Sequence, residues 1–374
     1  MNSNNDPGTQ LSARLIHLLE LLSPSVQSSP ERLARLALKH GVLDHISAPS
    51  TTPPEVSSQI RDIRLRQSAH SFAQTRQLGQ LTRLLQSKEV PHLVLKGPVF
   101  SQFLYGNPCT RSSSDLDLLI DPRQLSFTHR LLGNEGYTVR SPLPGEGRRK
   151  AEIRYLKART YQSGTAQCSL DLHWKLFSQW IAHEISFAQL WSRKQTVQLE
   201  EGWECHTLGN EDTILFAAFH AAQDGFCRLR HLLDIGLLLR RLSYSSVSIA
   251  KIASVRQPLM NLVLTLVSDL LGFEFAGTRR FFEAPGESEN FWLKWARLYP
   301  DVPKLELLHP SLWSQFRGSP LLKALNAVTT PSHDDIMSLE LSPSLTWAYR
   351  PLRILRLTGK LLTRGLEPVQ LRDE

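Results

Sequence analysis

The first part of the chain carries apolar residues at the spacing of amphipathic helices. Leucines recur every three or four positions between Leu11 and Val42, and Ser29-Pro30 is typical of a cap and first helical turn. The stretch Ser50–Pro54 breaks the pattern, and Glu55–Gln86 then predicts one long helix. Residues 1–87 are therefore predicted to form an N-terminal helical region.

Short β-rich runs replace the helical spacing from residue 88 onward. Val90–Leu95 ends at Lys96-Gly97-Pro98, where Pro98 can open a helix, and Ser114–Ile120 alternates between apolar and acidic positions. A helix is predicted from Asp121 to Glu135 and a basic loop from Pro142 to Lys150. Further strands are predicted over Tyr137–Arg140, Ile153–Tyr161 paired with Gln167–Trp174, and Thr196–Leu199 paired with Glu204–Leu208.

Beyond Asn210 the apolar spacing is again helical. Thr213–Ala222, Arg228–Leu242 and Pro258–Leu271 predict helices, and the tail is helical between prolines at positions 303, 310, 320, 331 and 343. The pattern as a whole predicts an α+β fold. A small mixed-sheet core at residues 88–208 is flanked by the N-terminal helical region and by a C-terminal helical domain at residues 209–374.

Composition places the chain among globular proteins, since 41% of its residues are hydrophobic and 21% are charged. It has no apolar run long enough to span a membrane and no secretory signal, so we expect a cytoplasmic protein. The four cysteines form no Cys-x-x-Cys pair, which argues against a zinc site or a dense disulfide framework. A net charge of +8 favours polyanionic ligands, from triphosphates to nucleic acid.

The acidic strand carries the strongest chemical signal. The two-residue period of a strand puts Asp115 and Asp117 on one face, opposite Leu116 and Leu118. Two adjacent carboxylates need a counter-charge, and a divalent cation such as Mg²⁺ supplies it through oxygen ligands. Surface strands often show the same pattern without a metal, so the pair alone does not establish a site.

Two further motifs favour a metal-dependent phosphoryl or nucleotidyl site. Gly97 ends a strand just before a helix, where backbone N–H groups can approach phosphate oxygens. Asp171, within Leu170–Trp174, adds a third carboxylate on another predicted strand. Three carboxylates on adjacent strands can hold two metal ions, which align a nucleophile with a phosphorus atom and neutralise the leaving pyrophosphate.

These motifs together resemble a known family. Val94–Gly97, Arg111–Ile120 and Leu170–Trp174 are similar to the motifs of the DNA polymerase β-like nucleotidyltransferase superfamily, and most closely to its bacterial "uncharacterised nucleotidyltransferase" branch. Glu211–His220 and Leu229–Ile235 resemble the helical continuation of that branch. The resemblance covers roughly residues 60–240. It implies a five-stranded nucleotidyltransferase core, a helical partner domain and Mg²⁺-dependent transfer from a nucleoside triphosphate (NTP).

The resemblance also implies roles for individual residues. Asp115 and Asp117 would bridge two Mg²⁺ ions, and Asp171 would bind the catalytic ion and help to deprotonate the acceptor. Lys96 and Gly97 would contact the triphosphate. The chain departs from the superfamily at the phosphate turn, where Pro98 replaces the usual serine and removes one N–H donor.

Several other residues are candidates for the same site. Arg111 could bind a phosphate, with a solvated loop position as the alternative. His173 could orient Asp171, contact the substrate or only pack, and we count it with Arg111 among the nucleotide-binding candidates. A structural role is the alternative for the possible acceptor-side residues His220, Arg228, Arg230 and His231. Arg148-Arg149-Lys150 could contact an anionic acceptor. A basic stripe near the C-terminus could contact an acidic partner or a membrane; it consists of Arg350, Arg353, Arg356, Lys360 and Arg364. For both groups the alternative is a solvated surface.

We therefore expect a Mg²⁺-dependent nucleotidyltransferase. It would move a nucleoside monophosphate from an NTP to a hydroxyl or phosphate of a small molecule or peptide, in natural-product modification. One alternative is glycosyl transfer from a nucleotide-sugar held by the same metal site. Another is a non-catalytic nucleotide-binding module. No aromatic-plus-basic motif favours nucleic acid as the partner.

Overall fold

A computed structural model gives the fold of the protein. It describes residues 7–22, 29–46, 54–139, 145–164, 168–177, 185–200, 203–242, 257–275, 281–282, 284, 286–297 and 329–364. Within them, helices surround one mixed sheet, which confirms the predicted α+β class.

The N-terminal helices lie where the apolar spacing predicted them. They are α1 (Pro7–Leu21), α2 (Pro30–His40) and α3 (Pro54–Ser87). The hydroxyl of Ser29 accepts a hydrogen bond from the backbone N–H of Arg32 at 3.4 Å, so the predicted cap of α2 is confirmed.

The sheet contains seven strands within the described residues, not the five that the resemblance implied. Their order is β3-β4-β5-β2-β1-β7-β6. The hairpin β6–β7 extends the sheet because β7 pairs in parallel with β1, and β3 adds a short strand beyond β4. The strands are β1 (His92–Val94), β2 (Asp115–Ile120), β3 (Tyr137–Thr138), β4 (Ala158–Ser163), β5 (Ser169–His173), β6 (Gln195–Glu200) and β7 (Trp203–Thr207).

Four helices lie between these strands: α4 (Pro98–Tyr105), α5 (Leu125–Asn134), α6 (Glu146–Tyr155) and α7 (Phe187–Ser192). The prediction of a loop up to Lys150 followed by a strand from Ile153 was wrong, because residues 146–155 form α6 and β4 begins only at Ala158. Residues 142–144 of the predicted loop lie outside the described residues, as does Arg140, the end of the predicted strand.

Helix α6 owes its position to contacts that are distant along the chain. Its Ala151 and Tyr155 are buried against Ile336 and Tyr349 of the C-terminal segment. Apart from Ile153, its other long side chains are polar, so local apolar spacing could not have revealed the helix.

The C-terminal part is helical, as predicted. Its described helices are α8 (Asn210–Gln223), α9 (Leu229–Arg241), α10 (Gln257–Leu271), α11 (Glu287–Ala296), α12 (His333–Ser338) and α13 (Tyr349–Arg364). The prolines predicted to break the tail at positions 303, 310 and 320 lie outside the described residues. No described helix is both long enough and apolar enough to cross a membrane.

The sheet separates two apolar clusters. Leu116, Leu118, Leu170 and Leu172 pack with α3 and α5 on one side. On the other side, α1 and α2 share a single cluster with α8, α9 and α10. Helices α1 and α2 therefore pack with C-terminal helices over one face of the sheet. The predicted domain boundaries at 87/88 and 208/209 remain predictions.

The basic stripe on α13 is partly engaged within the chain. Arg353 Nη1 lies 2.8 Å from a carboxylate oxygen of Asp335, and Arg356 Nε lies 2.6 Å from the other oxygen. Asp335 also completes the capping box of α12 with Ser332. These two arginines therefore stabilise the junction of α12 and α13 and do not form a free docking face.

Candidate active site

Two parallel strands bring the predicted carboxylates together. β2 pairs with β5 so that Asp117 stands directly opposite Asp171, and Asp115 stands opposite Ser169. Side chains two residues apart on a strand point to the same face. Asp115, Asp117 and Asp171 therefore share the face of the sheet that looks toward α8 and α9.

Asp117 is the most deeply buried of the three, with 2% of its surface exposed. One of its oxygens lies 3.1 Å from Lys96 Nζ, and the other accepts a hydrogen bond from His173 Nε2 at 3.0 Å. Burial alone would raise the pKa of Asp117, but Lys96 and then His173 outweigh it and hold the pKa well below its usual range. Asp117 is thus ionised and held in a fixed orientation.

The pKa of Asp115 is shifted in the opposite direction from that of Asp117. Burial, followed by repulsion from Asp117, raises the pKa of Asp115 above its usual value. Its side chain accepts a hydrogen bond from Ser114 Oγ at 3.2 Å. The negative charge at this end of β2 is therefore incompletely compensated by the protein.

Asp171 completes the acidic cluster. Thr160 on β4 donates a hydrogen bond to Asp171 Oδ1 at 2.6 Å. Ligand atoms of Asp117, Asp171 and His173 lie within 4.8 Å of one another, which is close enough to surround one cation. His173 contacts Asp117 on the neighbouring strand and therefore orients that carboxylate. The sequence alone indicated Asp171 instead as the carboxylate that His173 could orient.

The turn after β1 places Lys96 beside the acidic cluster. Gly97 has a φ of 70°, and an added Cβ would meet Ser113 Oγ at 3.4 Å. Lys96 Nζ also lies 3.2 Å from His220 Nε2 on α8. Burial would lower the pKa of Lys96, but Asp117 and Asp115 outweigh it and raise the pKa, so the ammonium stays charged.

Replacing the turn glycine should destabilise the fold. We expect Gly97→Ala to lower the free energy of unfolding by roughly 1–2 kcal/mol, because a Cβ disfavours positive φ. Chemical denaturation would measure the change. Gly133→Ala in α5, where an added Cβ meets nothing within 4 Å, is the matched control and should be neutral or stabilising. Equal changes in the free energy of unfolding for the two substitutions would contradict the argument that the positive φ at residue 97 requires glycine.

Arg111 lies in the same region but is held by a carboxylate. Its guanidinium binds Asp234 of α9 through Nε at 3.1 Å and Nη2 at 2.7 Å, and both side chains are buried. The third nitrogen, Nη1, makes no hydrogen bond within the described part of the chain. Arg111 therefore links the loop before β2 to α9 and retains one donor for a ligand.

A cavity of about 410 Å³ separates the acidic end of β2 from α8 and α9. Asp115, Lys96 and Arg111 lie on its sheet side. The opposite wall contains all the acceptor-side residues considered from the sequence, namely His220, Arg228, Arg230 and His231. This arrangement can hold an anionic ligand between the acidic edge of the sheet and a basic wall.

Asp234 is the functional residue that sequence reasoning missed. It follows Arg230 by four positions and His231 by three, so these residues share one face of a helix. That spacing was a usable signal. The sequence did not show that Arg111, more than a hundred positions away, would be its partner.

Comparison with known proteins agrees with this geometry. The model of a family described as "uncharacterised nucleotidyltransferase" matches residues 27–261, which is well over half of the chain. The matched part contains every candidate residue from Lys96 to Asp234. A search of curated proteins finds no match.

Proposed function

The chain belongs to the uncharacterised nucleotidyltransferase family and is thus a transferase of phosphorus-containing groups, and from this premise we propose that Asp115, Asp117 and Asp171 are its catalytic carboxylates. The direct pairing of Asp117 with Asp171 on parallel strands is the observation that carries the proposal. The arrangement also supports our proposal that the chain belongs to the DNA polymerase β-like superfamily, whose motifs its sequence resembles.

The acidic cluster fits divalent cations, and we propose two Mg²⁺ ions. Its donors are carboxylate oxygens, the ligands that Mg²⁺ prefers. Burial, followed by repulsion from Asp117, raises the pKa of Asp115, which supports a bound cation at this edge. When bound, such ions stabilise the charge on the attacking and leaving oxygens.

The other residues position the substrate. Lys96 and the turn at Gly97 would contact the triphosphate, and Arg111 would donate from Nη1 to a phosphate oxygen. His173 holds Asp117 in place. An acceptor oxygen attacks the α-phosphorus, the bond to pyrophosphate breaks, and the hydroxyl proton passes to Asp171, whose Oδ2 is not engaged by Thr160.

The acceptor in this proposal is a hydroxyl or phosphate of a small molecule or peptide, as in natural-product modification. Glycosyl transfer from a nucleotide-sugar remains a second candidate, because the same carboxylates could hold the cation that grips a diphosphate.

The proposal is tested by incubating the purified full chain with Mg²⁺, each labelled NTP in turn, and an extract of its host. We expect pyrophosphate and a product heavier than the acceptor by one nucleoside monophosphate. A hexose adduct formed from a nucleotide-sugar would indicate glycosyl transfer instead. Mg²⁺-dependent nucleotide binding without any product would contradict catalysis.

A further inference from the structure

The start of α9 forms the wall of the cavity that faces the carboxylates. Arg228 precedes the helix in an extended conformation, and no side chain caps the first turn. The N–H of His231 donates to the carbonyl oxygen of Arg228 at 3.2 Å, whereas the N–H groups of Leu229 and Arg230 lack partners within the helix and carry a partial positive charge. Arg228, Arg230 and His231 all line the cavity at this point.

Arg230 is a half-buried cation without a carboxylate of its own. Its Nη2 donates to Ser112 Oγ at 3.3 Å, and no described carboxylate lies within ion-pair distance of its guanidinium. The side chain packs over Gly41, where an added Cβ would lie 2.8 Å from Arg230 Nε. Burial, followed by repulsion from Arg111, lowers the pKa of Arg230 to about 10. Asp234 offsets part of this effect on the pKa, but its carboxylate is bound to Arg111 and forms no ion pair with Arg230 among the described residues.

His231 offers an unused polar atom in the same wall. It is 8% exposed, and its Nδ1 is buried with no hydrogen-bond partner in the described structure. Its Nε2 lies 3.7 Å from Asp224. Burial, followed by Arg228, depresses its pKa far below the usual value, so the imidazole is neutral near pH 7. A neutral imidazole can still donate one N–H to an oxyanion.

The cluster could also be interpreted as a metal site. Ligand atoms of His220, Asp224 and His231 lie within 4.8 Å of one another. However, Lys96 Nζ is only 3.2 Å from His220 Nε2, and repulsion from four neighbouring cations lowers the pKa of His231. These cations around the two imidazoles disfavour a divalent cation and favour an anion.

We propose that Arg228, Arg230, His231 and the first turn of α9 form a binding site for a phosphate or carboxylate group of a substrate. Its assignment to a substrate rests on the proposed function, whereas its affinity for an oxyanion rests only on the wall itself. Arginine is well suited to this task because its planar donors match phosphate oxygens.

The oxyanion has two possible sources across this cavity. The first is the β- and γ-phosphates of the NTP, since Pro98 leaves the turn after β1 with one N–H fewer than a serine would. The second is an anionic group on the acceptor. Both present the same chemistry to Arg230, and binding measurements with different probes distinguish them.

The test uses the full chain carrying Asp115→Asn, so that no turnover occurs, with and without Arg230→Gln. Calorimetric titrations with inorganic phosphate, pyrophosphate and Mg²⁺-NTP would measure binding. We expect Arg230→Gln to lower the affinity for at least one probe by about tenfold or more, because a charge-assisted contact is lost. Arg241→Gln, at the exposed far end of α9, is the matched control and should leave the affinity for all three probes unchanged.

Weaker binding of Mg²⁺-NTP and pyrophosphate would identify the donor as the source. Weaker binding of inorganic phosphate alone would identify the acceptor as the source of the oxyanion. Either result supports the site even if the chain shows no nucleotidyl transfer. Unchanged affinity for all three probes in a variant with the wild-type Tm would overturn the proposal, and so would stoichiometric Zn²⁺ binding at His220, Asp224 and His231 without phosphate binding.

Discussion

Asp115→Asn is expected to lower the rate of nucleotidyl transfer by roughly 10³-fold or more, because losing a metal ligand removes about 4 kcal/mol of charge stabilisation in the transition state. The fold should survive. Asp115 has a raised pKa in the folded chain, caused by burial and by Asp117, so its charge opposes folding at neutral pH. The neutral variant should therefore be as stable as the wild type, or more stable, at pH 7.

Single-turnover release of pyrophosphate, measured at saturating Mg²⁺ and NTP, would test this expectation. Asp62→Asn, on the exposed face of α3, controls for the loss of one negative charge and should leave the rate unchanged. Asp117→Asn is a less clean test, since it removes the partner of Lys96 and His173 and should also destabilise the fold. Near-normal turnover by Asp115→Asn would refute the assignment of the carboxylates.

Arg159→Met is expected to destabilise the protein by about 3–5 kcal/mol, the usual cost of leaving one charge of a buried ion pair without its partner. Arg159 on β4 pairs with Glu152 on α6, and the side chains are 4% and 0% exposed. Burial already raises the pKa of Glu152 in spite of Arg159. Without the arginine that pKa should rise further, so the loss of stability should be larger at pH 8 than at pH 5.

Urea unfolding at the two pH values would measure this difference. The double variant Glu152→Gln with Arg159→Met removes both charges and should recover part of the lost stability. If the single and double variants were equally destabilised at both pH values, lost packing would explain the effect and the ion-pair interpretation would be wrong.

Local sequence pattern determined much of the fold and pointed to the acidic edge. The spacing of apolar residues placed α1, α2, α8, α9 and α10, because a helix buries one stripe of side chains with a period of 3.6 residues. The alternation in β2 correctly put Asp115 and Asp117 on one face. These features depend on neighbours along the chain, so periodicity was sufficient to predict them.

Other features depended on contacts between distant parts of the chain. Only the tertiary structure decided that β5 lies parallel to β2 with Asp171 opposite Asp117, that His173 orients Asp117, and that Asp234 holds Arg111. It also decided that the polar segment around Glu152 is a helix, because its partners lie on β4 and in the C-terminal segment. The free energy of such long-range pairs depends on burial and counter-charges that no local pattern records.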